Sequence, residues 1–393
     1  MSYWSAESQE DVQVLSTNSP RSRLMRSLLK IVGVFVVLAI IGGAVIGWRY
    51  YTVQQRLKRD LTVFVRSEEH IRSLGGVNAV PELLLPGAPY RWWYRYEASV
   101  EARKGRPEPV IHVKSVKYDG VNARVHLAVD EVAQYRHYRL LNHQWRRAPF
   151  EATGWGVKHD LTSDNGLKIV YWDKDSSFAR ELAADLPDLA SKMAGVGLNP
   201  TGTALLIIPK ELDVLVRPAR LEEGWVLNSP HVDLVPQAPG DLSPEQELRL
   251  ALAQRVFRDA RNQHPVLSNL SGANRLQNAI DDVLAWQWAT GDVSAAAVSA
   301  WADMLKGYWV SPARGLNSDL MTKLPPEAPD AAARALATSV LRSKGETGLS
   351  ALSAALTDAK SWDEAYEQAL GMSMSQAEEA AQTLLKDASQ QQQ

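Results

Sequence analysis

Few side chains in this chain are placed to do chemistry. There is no cysteine, so thiolate zinc sites, a Cys nucleophile, disulfide stapling and a lipoprotein anchor are excluded together. No G-x-S-x-G, P-loop or G-x-G-x-x-G occurs, which removes the usual signatures of a serine nucleophile, a triphosphate cradle and a dinucleotide site. His126, His137 and His143 invite a metal reading, but imidazoles on the polar face of a strand are expected to face solvent. His231 and His264 have no His or Glu partner at ligand spacing, and His264, just before Pro265, is expected to cap a helix end. What remains is a polar stripe of Gln254, Arg258 and Arg261 along RLALAQRVFRDA and its continuation, and the acidic pair Asp281-Asp282 in NAIDDVLAW.

The elements that must position these groups are legible. Ser243-Pro244-Glu245-Gln246 is a capping box with proline at the first helical position. Behind it Leu248, Leu252, Ala253, Val256, Phe257 and Ala260 form an apolar face. Leu276, Ile280, Val283 and Leu284 mark a second helix that Gly291 should close. The remainder from Ala295 to Lys386 reads as helical, with breaks at 341–348 and 370–372. Upstream, LKIVYW (167–172), 204–209, 224–227 and 231–235 read as strands and 177–194 as an amphipathic helix, which makes a small mixed sheet backed by a helix.

That order of parts resembles the peptidase MA-like branch of the gluzincin metallopeptidases, over about Leu167 to Leu385. The pieces that carry the resemblance are IVYWD, the helix ending in AGVGLNP, LLIIP, RLALAQRVFRD, AIDDVLAWQWATGD and the late segment 349–371. In an active member the first core helix reads L-A-H-E-x-x-H and the second W-L-x-E-G-L-A. Two histidines one helical turn apart bind zinc, the intervening Glu is the base for its water, and the second-helix Glu is the third ligand. Aligning Leu252-Ala253 on that motif puts Gln254 and Arg258 at the histidine positions, Arg255 at the base and Asp282 at the third ligand. A guanidinium cannot deprotonate to bind a metal, and it repels a dication. The resemblance therefore implies a retained fold with the zinc ligands and base absent: no cofactor, no metal-dependent catalysis, and a groove left for a peptide or protein partner. An ion pair of Arg255 or Arg258 with Asp281 or Asp282 is expected to replace the metal as the tie between the two helices.

The N-terminal part has a different character. Ile31 to Trp48 is 18 residues without charge, a run of roughly 27 to 30 Å with Leu28 and Leu29 included, long enough to cross a bilayer. The span is placed at 28–48, after a disordered cytoplasmic tail at 1–27, with Trp48, Tyr50 and Tyr51 at the membrane interface. Arg21, Arg23, Arg26 and Lys30 are balanced by Arg49, Arg56, Lys58 and Arg59, so charge does not orient the span. A short leading tail before a long C-terminal part is the layout of a signal anchor, which puts the bulk of the chain outside the cytoplasm. From Arg49 to Asp160 there are 19 Lys+Arg against 12 Asp+Glu, whereas Leu161 to Gln393 has 20 against 30. Membrane lipid is the expected partner of the basic section and its RWWYRY, in preference to nucleic acid.

After the span, Val53, Leu57, Leu61, Phe64, Val65 and Ile71 continue a helix that Gly75-Gly76 ends, PELLLPGAPYRWWYRY reads as a loop, and period-two strands follow with turns at Asp119-Gly120 and 142–144. A helix followed by a meander that ends in YRHYRLL and WRRA resembles the nuclear-transport-factor-like, or SnoaL-like, cone fold over 49–154. Cones of this kind often hold a ligand between helix and sheet. The expected chain is thus α+β: a single transmembrane helix, a helix-plus-antiparallel-sheet cone at 49–154, a degenerate peptidase MA-like domain at 155–388 with a mostly helical second half, and a disordered tail at 389–393. The expected role is a membrane-anchored extracytoplasmic binding or scaffold protein, a pseudoenzyme. The alternatives are an accessory subunit of a larger membrane complex, making contact through Trp286, Trp288, Trp301 and Trp309, and an enzyme with an unconventional site.

Overall fold

A computed structural model describes residues 20–150, 155–199, 204–209, 215–219, 224–233, 242–265, 268–313, 320 and 323–390. Contacts divide the chain into two units, Met1–Leu61 and Thr62–Gln393. Helix α1 is continuous over Pro20–Ser73. In the first unit it carries the apolar run, and none of the most apolar stretch is buried against protein. Among the described residues this is one helix long and apolar enough to cross a membrane. Trp48, Tyr50 and Tyr51 lie on it, all largely exposed. The helix starts at Pro20, so 20–27 is helical where a disordered tail was expected; proline is favoured in a helix's first turn, and the Arg, Leu and Met after it are good helix formers. Residues 1–19 lie outside the described residues.

In the second unit α1 ends at Gly75, whose φ of +66° is the left-handed geometry of a glycine stop. Helices α2 (Val80–Leu83) and α3 (Tyr90–Arg103) follow. Helix α3 corrects the expected loop. Trp92, Tyr96 and Val100 fall four residues apart and pack with Val80, Leu83 and Leu84 into a small core, a helical period hidden in the sequence by the run of aromatics. Strands β1 (Ile111–Tyr118), β2 (Asn122–Val129), β3 (Val132–Leu141) and β4 (Gln144–Ala148) form an antiparallel meander in that order. The turns fall where expected, and Asn142 and His143 both adopt positive φ, as a two-residue hairpin turn with matching twist requires.

The next sheet runs β5-β6-β7-β9-β8, with β5 (Lys158–Thr162), β6 (Lys168–Trp172), β7 (Ala204–Ile208), β8 (Val216–Pro218) and β9 (Gly224–Asn228). It is mixed: β6, β7 and β9 are parallel, and β5 and β8 are antiparallel edges. Helix α4 (Ser176–Gly195) makes the crossover from β6 to β7, the connection a parallel pair needs. Gly224 is obligatory there, because a Cβ would run into the carbonyl of Ala204 on the neighbouring strand. The edges β5 and β8 were not anticipated, being a polar five-residue strand and a three-residue one. Of the strand expected at 231–235, the described residues 231–233 form only a lone bridge, Val232 to Tyr135 of β3, and 234–235 lie outside the described residues.

Helices α5 (Pro244–Gln263), α6 (Ala273–Thr290), α7 (Ala295–Leu305), α8 (Ala328–Asp358), α9 (Trp362–Leu370) and α10 (Met374–Gln390) complete the chain. The capping box at Ser243 and Gln246 is formed in both directions, and Gly291 closes α6 in the left-handed region. The expected break near 345 is a kink within α8, where Gly345 has φ 68°. Ser389 and Gln390 end α10, and 391–393 lie outside the described residues. Trp286, Trp288 and Trp301 belong to the main core. They are therefore not the contact surface considered above, and Trp309 is only partly buried against that core.

The expected boundary at 154/155 falls inside one compact unit, and a buried charge network explains why. Between α1, α3 and the meander sit Glu68, Glu69, Arg72, Arg95, Arg136 and Arg147, each buried, with Asp233 reaching in from the segment after β9. Arg72 donates to Glu69 at 2.8 Å and to Asp233 at 2.9 Å. Arg136 lies 2.7 Å from Glu69, and Arg103 donates to Glu69 at 3.1 Å. Tyr96 and Tyr138 donate to the two oxygens of Glu68. Burial by itself raises the pKa of Glu69, yet Arg72, Arg136 and Arg103 outweigh it and hold the group at about 2. The same contest leaves Asp233 far below the usual carboxylate range, with Arg72 and Arg136 its strongest opponents of burial. The space between helix and sheet, where cones of the kind named above often hold a ligand, is occupied by these side chains.

Candidate functional site

The site is built by three helices. From α5, residues spaced three or four apart (Gln254, Phe257, Arg258, Arg261) fall on one face; from α6, Arg275, Asn278 and Asp282 do the same; α8 adds Asp330 and Arg334 one turn apart. Together with Asn262, Ala279 and Asp281 they line a cleft of about 350 Å³. Three of the four positions implied by the resemblance, Gln254, Arg258 and Asp282, thus meet in one cavity. Arg255 does not line it.

The expected ion pairs are corrected. Arg255 turns along its own helix to Asp259, at 2.8 Å, because a partner four residues on is within reach without leaving α5; that carboxylate also accepts the indole N–H of Trp225 at 2.9 Å. Arg258 is exposed and has no ion-pair partner among the described residues. The tie between α5 and α6 is made one turn further on. Arg261 grips Asp281 with two parallel bonds, Nε to Oδ2 and Nη2 to Oδ1, both 2.8 Å. Asp282 is held by Arg334 of α8 at 2.8 Å, and Asp330 by Arg275 at 3.1 Å. Sequence reasoning missed Arg261 as the partner although it sits on the same polar stripe, one turn past Arg258.

Burial shapes the electrostatics. Asp281 is buried, and desolvation raises its pKa even though Arg261 opposes that. Every carboxylate lining the cleft has an arginine on it, and Arg258 is the guanidinium left over. The lining is therefore polar with one cation in excess, an environment for an anionic or hydrogen-bonding group and a poor one for a dication.

The histidines are dispersed. His126 is half-buried and stacked on Tyr135 with ring centroids 4.6 Å apart. His137 is buried instead of exposed, packs on Phe150, and is pushed down to about 3, first by burial and then by Arg147 and Arg124. His143 sits in the exposed β3–β4 turn, His231 contacts the carbonyl of Lys174 at 3.0 Å, and His264 is the exposed C-cap of α5. Among the described residues no group of three or more His, Asp or Glu is placed to hold a metal ion. Set against protein-family models, curated proteins and solved structures, the chain matches none of them.

Proposed function

We propose that the chain is a membrane-anchored binding or scaffold protein, its bulk outside the cytoplasm, in which a peptidase-like helix pair displays a groove and performs no metal-dependent catalysis. The observation that carries this reading is the fate of the four implied positions. Gln254, Arg258 and Asp282 converge on one cleft, but none is free to ligate a metal: an amide is a weak donor, a guanidinium has no lone pair to give, and Asp282 is already engaged by Arg334. The base position is Arg255, bonded to Asp259 and pointing elsewhere. In place of a metal the helices are joined by the Arg261–Asp281 fork.

The apolar helix supports an anchor by its length and exposure. The basic stretch after it is suited to anionic headgroups.

The reading is tested by incubating the detergent-solubilised full chain with a random peptide library, with and without a chelator, and following both retention and cleavage by mass spectrometry. Peptides should be retained uncut, with the chelator changing nothing. Chelator-sensitive cleavage would replace the binding role with an enzymatic one.

A further inference from the structure

The cleft between α5, α6 and α8 carries a specific charge arithmetic. Its four arginines meet only three carboxylates, and each carboxylate is already spoken for: Asp281 by Arg261, Asp282 by Arg334 and Asp330 by Arg275. These pairs hold their arginines in place and remove the negative charge that would otherwise repel an anion. Arg258, in the middle of the α5 face, has no such partner among the described residues and stays exposed at the cleft. On either side along the same stripe stand the neutral amides of Gln254 and Asn262, with Asn278 opposite on α6. A planar fork with five donors, flanked by amides that can donate or accept, is matched to a planar two-oxygen acceptor. The cavity, about 350 Å³, is at the small end of the range for ligand sites.

We infer that this cleft is a carboxylate-binding site, with Arg258 as its anchor, and that it takes peptides through a carboxylate. The inference rests on reading the helix pair as a binding groove, and it adds the chemistry of what the groove selects. The carboxylate comes either from a chain end or from an acidic side chain, and both present the same two oxygens to Arg258.

Three fluorescent tetra-alanine probes separate the cases: one with a free C-terminal carboxylate, one amidated, and one amidated with a single internal Glu. Binding to the full chain in detergent is read by anisotropy, and the probes are recovered to check that they are intact. At least one carboxylate probe should bind about tenfold or more tighter than the plain amide, the difference a charge-assisted bond supplies. Preference for the first probe assigns a chain end, and preference for the third an acidic side chain. Arg258→Gln should abolish the preference, and Arg258→Lys, which keeps the charge but not the fork, should retain only part of it. Because Arg258 is exposed and has no ion-pair partner among the described residues, both variants should match the parent in thermal unfolding. Equal binding of all three probes, no binding at millimolar probe, or an unaltered preference in Arg258→Gln overturns the carboxylate site and leaves the non-catalytic reading standing. Cleaved probes with the preference intact would overturn the non-catalytic reading and leave the carboxylate site standing.

Discussion

Asp233→Ala should lower stability by about 3–5 kcal/mol, the range for removing one partner of a buried ion pair. Asp233 is buried and faces two fully buried guanidiniums, Arg72 at 2.9 Å and Arg136 at 3.9 Å. Without it the network keeps its arginines but loses one of three carboxylates, and the segment after β9 loses its hold on β3 and α1. In a unit of this size the change corresponds to a melting shift of about 4–7 °C, readable by tryptophan fluorescence in detergent. The effect depends on pH. Asp233 and Glu69 have folded-state values below those of unfolded carboxylates, so the unfolded chain binds protons first as pH falls. Their contribution is complete above the unfolded value, roughly pH 4, and drains away toward pH 2. The gap between wild type and Asp233→Ala should therefore be largest at neutral pH and narrow in acid. A shift below 1 °C at pH 7 would show that the network does not hold the two halves of the unit together.

Arg261→Ala should cost about 2–4 kcal/mol at pH 7, because it strips a buried carboxylate of both its charge-assisted bonds. Burial already pushes Asp281 upward with Arg261 present, so without the arginine Asp281 takes up a proton at higher pH. A group whose folded-state value is raised favours the folded protein at low pH and loses that advantage as pH rises. The variant's deficit should accordingly be larger at pH 8 than at pH 5. Arg258→Glu is the matched control: exposed, and without an ion-pair partner among the described residues, it should change stability by less than about 0.5 kcal/mol. Equal losses for Arg258→Glu and Arg261→Ala would restore Arg258 as the interhelical tie.

These two residues also show where the sequence was informative. The box at Ser243, the stop at Gly291 and the apolar faces of α5 and α6 are local signals, written within a few residues of where they act, and all are found. The convergence of Gln254, Arg258 and Asp282 follows from two helices packed with those faces together. Which arginine reaches which aspartate does not follow, since positions 258 and 261 share a stripe and only the packing of α6 decides between them. The buried network was illegible for a stronger reason. Asp233 lies 161 residues from Arg72, and charged residues at alternating strand positions such as Arg136 read as a solvent face until something covers them. Helix α3 was lost because its aromatic run, RWWYRY, masked a four-residue period. Contacts that reach across 154/155, such as Tyr135 N–H to the carbonyl of His231 at 2.9 Å, likewise leave no local mark in the sequence.

If α5 and α6 keep the frame of a zinc site whose ligands have been exchanged, as we propose, restoring the ligands reveals it most directly. Gln254→His, Arg258→His and Asp282→Glu, combined in the full-length protein in an Arg334→Gln background that releases the carboxylate, should yield about one zinc per chain by elemental analysis after purification in detergent, because two histidines one turn apart and a facing carboxylate supply three ligands. The unaltered protein should carry none. A folded quadruple variant that stays free of zinc, or stoichiometric zinc in the unaltered protein, would contradict the account.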